Sequence, residues 1–153
     1  ARAETAAEKP SFRSAFGSRR CLIPASGFYE WRKTRMGKQP HHIGLAGKGL
    51  FGMAGLYESW RSPDGDELRT CTILTTTPNR LLEPIHDRMP VIIPREGREL
   101  WLDPSVSDPR ALEPLLRPYP AEEMEAYPVS KRVNSPANQG AGLARPLEGL
   151  DLG

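Results

Sequence analysis

Two residues in this chain could exchange protons near neutral pH. Glu30 lies in Gly27-Phe28-Tyr29-Glu30-Trp31, a carboxylate set among aromatic side chains. His86 lies in Ile85-His86-Asp87-Arg88-Met89-Pro90, an imidazole beside an acid and a base. Apolar neighbours that exclude water would raise the carboxyl pKa and keep a proton available. A neighbouring carboxylate could hold the imidazole and let it shuttle that proton. Two such groups in distant segments suggest an active site assembled by the fold. Plainer readings stay open for both. Glu30 could be an exposed carboxylate on a half-buried strand, and Asp87 could pair with Arg88 while His86 only packs.

No residue completes the pair as a nucleophile. Cys21 and Cys71 stand among Leu22, Ile23, Thr72 and Ile73, with no adjacent base to lower a thiol pKa. Ser26 precedes Gly27 but lacks the Gly-x-Ser-x-Gly elbow. Arg88 carries a planar fork suited to phosphate. Thr75, Thr76 and Thr77 end a strand before the His86 loop, where hydroxyls could meet phosphate or simply suit a strand. Trp31 could stack on an unpaired base or belong to the core. His41 and His42 are adjacent, so on a strand they point to opposite faces, and no Cys or acid lies at ligand spacing; no metal and no cofactor is expected.

The elements that must position these groups are short. Pro10 opens a short helix whose apolar face is Phe12, Ala15 and Phe16, with Gly17 near its end. Cys21-Leu22-Ile23 reads as a buried strand stopped by Pro24. Phe28 to Lys33 reads as a second, with Phe28 and Glu30 on one face and Tyr29 and Trp31 on the other. Met36-Gly37-Lys38 marks a turn before a strand at His41-His42-Ile43. Leu50 to Trp60 reads as a strand weakened or bulged by Gly52 and Gly55. Pro63-Asp64-Gly65 is a turn, followed by a strand from Leu68 to Thr76. Asn79 caps a helical turn through Leu82, and Val91-Ile92-Ile93 is a buried strand. Asp108 caps a short helix to Leu116, with Pro109 at its first position. Residues 129–153 read as an extended surface tail.

The 153 residues suit one domain with a core of its own, and 16 Pro with 14 Gly favour strands and turns over long helices. No apolar run approaches a membrane span of roughly 18 residues. The default reading of the two cysteines is reduced cytoplasmic thiols, with a disulfide between Cys21 and Cys71 left open as the alternative. Charge is uneven: residues 1–40 hold nine Lys and Arg against three Glu, a net of +6, although the whole chain carries only +2. A basic segment among aromatics suits a polyanion such as nucleic acid, or is a solvated face. The fold class expected is α+β, a strand-dominated mixed or antiparallel sheet or a partly closed barrel with short flanking helices.

The stretches ARAETAAEKPSFRSAF, RRCLIPASGFYEW, FGMAGLYESW, TILTTTPNRLLEPIHDRMPVIIP and YPVSKRVNSPANQG, in that order, resemble the SOS-response-associated peptidase (SRAP) family. The resemblance implies a SRAP fold over residues 1–153, taken as the C-terminal two-thirds or so of the full domain and lacking its N-terminal portion. It implies binding of single-stranded DNA that contains abasic sites. A mature N-terminal Cys, in a segment expected ahead of Ala1, would form a thiazolidine crosslink with the abasic aldehyde and protect the site in the SOS and DNA-damage response. By motif, Glu30 matches the family's acid/base glutamate. His86 matches the histidine that assists ring opening and contacts the phosphate. Arg2, Trp31, Thr75 and Arg88 match positions that hold or stack on DNA. A monomer when full length, with no membrane and near the bacterial nucleoid, is the associated expectation. The alternatives are a thiol peptidase using the same Cys, on its own propeptide or on other proteins, and a non-enzymatic single-strand binding module.

Overall fold

A computed structural model of the protein describes residues 1–147. In chain order the helices are α1 (Ala3–Ala6), α2 (Arg13–Ser18), α3 (Arg98–Leu102) and α4 (Pro109–Leu112). The strands are β1 (Arg20–Ala25), β2 (Phe28–Thr34), β3 (Gly37–Leu45), β4 (Phe51–Arg61), β5 (Glu67–Ile73), β6 (Thr75–Thr76), β7 (Met89–Pro90), β8 (Ile92–Ile93) and β9 (Met124–Pro128). All strand pairs between these elements are antiparallel, and the sheets stay open. The architecture is α+β, as the sequence indicates. Among the described residues no helix is long and apolar enough to cross a membrane.

The chain forms two compact units. The first comprises residues 1–25, 51–77 and 88–119. Its sheet runs β1-β4-β5, with β8 also on β4. Its core gathers Phe16, Leu56, Leu74, Val91, Ile93, Trp101 and Leu112. The Phe16 and Trp101 rings meet edge to face at 6.0 Å, a geometry that suits the aromatic quadrupole. Arg20 is buried beneath them and spends its guanidinium on the carbonyls of Phe16, Gly17, Trp101 and Asp103. A buried cation is tolerable only when so satisfied.

Sequence and structure differ at instructive points here. Pro24 does not stop β1 but lies inside it opposite Gly52. β1 pairs with β4 alone, and an edge strand can lose a donor on its open side. Gly52 and Gly55 leave the β1–β4 register unbroken rather than bulged. The strand expected from Leu68 to Thr76 is interrupted at Leu74. Its N–H donates to the Ala54 carbonyl at 2.9 Å and its own carbonyl accepts from Val91 N–H at 2.9 Å. Leu74 therefore satisfies its backbone between β4 and the Val91 segment. Asp108 does cap: its Oδ1 accepts the Arg110 N–H at 2.9 Å, with Pro109 first in α4. A 3-10 turn over Glu113–Leu116 continues the segment.

The second unit comprises residues 26–50, 78–87 and, among those described, 120–147. Its sheet runs β2-β3-β9. The β2–β3 hairpin turns at Gly37, whose φ of +103° is a left-handed value that glycine adopts without a Cβ penalty. Ile43, Leu82 and Val129 are fully buried. Past Pro128 the chain is anchored: Val129 N–H donates to the Pro40 carbonyl at 3.0 Å, and Tyr127 Oη donates to the Ala144 carbonyl at 2.8 Å. Short 3-10 turns follow at Lys131–Asn134 and Ala141–Ala144. The end of the tail expected over 129–153 falls on residues 148–153, outside the described residues.

Candidate active site and nucleic-acid interface

Glu30 is placed by β2, two residues after Phe28, and pairs in register with His41 of β3. The start of that strand admits no side chain at Gly27, because a Cβ there would come within 2.2 Å of His42 Nε2. His42 is wedged between Tyr29 and Tyr127, at ring distances of 5.6 and 5.2 Å. Burial lowers its pKa, with the Glu125 charge opposing. His41 faces the Gln39 carbonyl through Nδ1 at 3.1 Å. The two histidines thus serve separate surroundings, as their adjacency on a strand requires.

His86 is held by a loop tied down at both ends. Asn79 Oδ1 accepts the N–H groups of Leu81 and Leu82, both at 3.1 Å. The Leu82 carbonyl then accepts the His86 N–H at 2.9 Å. The imidazole lies between two carboxylates: Nε2 is 3.7 Å from Glu30 Oε2, and Nδ1 is 3.3 Å from Asp87 Oδ1. Asp87 is almost fully in solvent, whereas the Glu30 side chain is only 23% exposed. Burial is the main force on Glu30 and raises its pKa. His86 and the Trp31 N–H pull it down, and the Asp87 charge pushes it up. The result is a carboxyl that holds its proton longer than usual, in ion-pair range of a base. That pairing can donate and recover one proton in a reaction.

Trp31 and Lys33 line a groove of about 590 Å³ together with Pro84, Ile85, His86 and Asp87. Its electrostatics are mixed, since Glu83 also reaches it. Trp31 is partly buried, not a core residue. Its indole Nε1 donates to Asn134 Oδ1 at 2.7 Å.

The remaining expected residues meet in the first unit, around Thr75. Arg2 bridges to Thr75 in parallel, the Thr75 N–H donates to the Ala1 carbonyl at 2.8 Å, and Arg2 is exposed. Arg88 Nε donates to Thr75 Oγ1 at 3.3 Å and Nη2 to the Thr75 carbonyl. The outer face of its fork holds Glu4 in a bidentate pair, at 2.9 and 2.8 Å. That hydrogen bond is the main reason the Glu4 pKa is lowered. The six candidate residues therefore fall into two groups: Glu30, Trp31 and His86 in the second unit, and Arg2, Thr75 and Arg88 in the first.

Sequence reasoning missed Glu4 and Asn134. Glu4 is 84 residues from Arg88 and Asn134 is 103 from Trp31, so no local pattern could pair them.

A family model described as SOS response associated peptidase (SRAP) matches residues 1–136. The chain belongs to the SRAP family. Over 144 residues it is 54% identical to the abasic site processing protein YoqW of Bacillus subtilis, which covers 94% of this chain and 64% of the relative. Abasic site processing protein YobE of the same organism is 55% identical over 137 residues, covering 89% of this chain and 63% of the relative. A crystal structure of a protein from Bacteroides thetaiotaomicron superposes with a TM-score of 0.88 at 36% identity, over 96% of this chain and 65% of that one. This SRAP chain spans a little under two thirds of the length of these relatives.

Proposed function

We propose that this protein acts on abasic sites in single-stranded DNA, with Glu30 and His86 moving the protons of a covalent capture reaction. The observation that carries the proposal is the half-buried Glu30 with a raised pKa, 3.7 Å from His86. The names of the SRAP relatives supply the substrate class. The covalent step belongs to a protein carrying the family's N-terminal Cys. Its amine adds to the aldehyde carbon of the ring-opened sugar. The hydroxyl formed there then leaves as water, taking a proton from the Glu30 carboxyl, and a C=N bond forms. The nitrogen of that bond keeps one hydrogen and a positive charge. The thiol sulfur adds to the carbon, the C=N electron pair returns to nitrogen, and the thiol proton leaves to His86, which closes a neutral thiazolidine. Glu30 regains its proton through His86, which also assists opening of the sugar ring.

Binding divides between the two groups of residues. Trp31 stacks on an unpaired base, and the exposed Arg2, on the segment that Thr75 and Arg88 brace, receives phosphate. The test is incubation of the full-length protein with a single strand carrying one abasic site, read on a denaturing gel against the intact strand. A covalent product confined to the abasic strand is the expected result. Equal, salt-sensitive, non-covalent retention of both strands would overturn the proposal in favour of a simple binding module.

The description of the matching family model favours a second reading, a thiol peptidase that removes its own leader. The same acid/base pair would then protonate the leaving amine. Mass spectrometry of a precursor with a short leader decides it, because an intact leader counts against self-cleavage.

A further inference from the structure

The proposed function leaves one motif without a role: the Val129-Ser130-Lys131-Arg132-Val133-Asn134 stretch, which folds into a 3-10 turn ending at Asn134. The turn is firmly built. Ser130 Oγ accepts the Arg132 N–H at 3.3 Å, and Asn138 Nδ2 donates to the Arg132 carbonyl at 2.8 Å. Its base is fixed to β3, where Gln39 Nε2 donates to the Val129 carbonyl at 2.9 Å and Val129 is fully buried. Trp31 stands opposite Pro40 in the β2–β3 register. Its indole has one donor and no acceptor, and that donor goes to Asn134 at 2.7 Å. A partly buried indole at the rim of a groove would otherwise be free to turn about its two side-chain torsions. One short hydrogen bond from a rigid turn removes that freedom before any ligand arrives, and preorganisation of this kind adds affinity without new contacts.

We propose that Asn134 is the positioning residue of the nucleic-acid groove. Its amide oxygen holds the Trp31 indole as the wall on which the unpaired base beside the lesion stacks, and the exposed Lys131 and Arg132 of the same turn attract the strand's phosphates. Glu83 and Asp87 on the loop side of the groove repel phosphate. The base, not the backbone, therefore enters between Trp31 and Ile85. This inference rests on the single-strand reading above and adds which residue aims the platform.

The test uses the full-length protein and a single strand that carries a tetrahydrofuran abasic analogue with 2-aminopurine as the next nucleotide. The analogue has no aldehyde, so only non-covalent stacking is read. Stacking on the indole quenches 2-aminopurine, and Trp31→Leu should abolish the quench. Asn134→Leu should lose most of the quench and weaken binding about 5- to 10-fold, near the lower end of what one stacked base contributes. Asn134→Asp keeps an acceptor for the indole N–H and should retain the quench, with affinity reduced only at low salt. A full quench in Asn134→Leu, or its equal loss in Asn134→Asp, would overturn the positioning role while leaving DNA binding intact. A quench that survives Trp31→Leu would overturn it also. Failure of the unaltered protein to bind the strand would overturn both this inference and the function it rests on.

Discussion

The pair of Arg88 with Glu4 and the pair of His86 with Glu30 are both a base beside an acid, and they are built in opposite ways. Arg88 is bidentate on Glu4 at 2.9 and 2.8 Å, braced by Thr75, and Glu4 is held in its charged form. His86 stands 3.7 Å from Glu30, which burial pushes toward its neutral form. A short charge-assisted fork fixes two segments in place. A looser contact leaves a half-buried carboxyl whose proton can pass to a neighbour. Proximity of opposite charges thus marks structure in one unit and, under the proposed function, serves chemistry in the other. Length and protonation separate the two.

The strongest challenge to that contrast is removal of the chemical pair. Glu30→Gln and His86→Ala, each in the full-length protein, should slow covalent capture of an abasic strand by about 10²- to 10⁴-fold, the usual worth of one general acid or base. Quench-flow with denaturing gels measures it. Glu4→Gln should leave the capture rate within a few-fold. Equal losses in Glu4→Gln and Glu30→Gln would erase the distinction.

Next in size is the core that holds the structural pair's unit together. Trp101 is fully buried and donates its indole N–H to the Cys21 carbonyl at 2.9 Å. Trp101→Ala should cost about 3–5 kcal/mol in chemical denaturation. Glu4→Gln should cost only about 0.5–1 kcal/mol, because Glu4 is 45% exposed.

The smallest effects concern pH, and their signs are opposite. The folded pKa of Glu4 is lowered, so the unfolded chain binds more protons near the carboxylate range. Its contribution is present above the ordinary carboxylate pKa and is lost as pH falls through the lowered value. The folded pKa of Glu30 is raised, so the native state binds more protons between the ordinary value and the raised one. Stability therefore falls as pH rises through that window. Thermal melts from pH 3 to 8 should show Glu30→Gln gaining on the unaltered protein as pH rises, and Glu4→Gln losing. A fall in both variants would overturn the assignment for Glu30.

The sequence carried the parts of the site that are locally dense. Gly27 to Trp31 and Ile85 to Pro90 each concentrate unusual residues within a few positions, so both stood out before any fold was known. Asn79 and Asp108 were also legible, because a cap acts on its next few residues. β9 was not: Met124-Glu125-Ala126-Tyr127-Pro128 is short and acidic, and its place is set by pairing with His41–Leu45. The helix α3 hides for a similar reason, since its five residues hold a single buried side chain, Trp101. Glu4 and Asn134 look like ordinary surface polar residues until the chain returns to meet them. Residue type and spacing report local chemistry, whereas long-range partners are set by topology.

The bond from His86 N–H to the Leu82 carbonyl has a consequence for how the loop can change length. Leu82 is locked in the interior, and its carbonyl closes the turn by accepting the Ile85 and His86 N–H groups. A turn closed over a fixed number of residues sets the direction in which the next side chain leaves it. A one-residue insertion between Leu82 and His86 would swing the imidazole away from Glu30 as a cog slips past its tooth, with every side chain still present. Side-chain replacement at Glu83, Pro84 or Ile85 changes the wall of the groove, but insertion or deletion changes the timing of the whole turn. Insertions at these three positions should therefore be far less tolerated than substitutions.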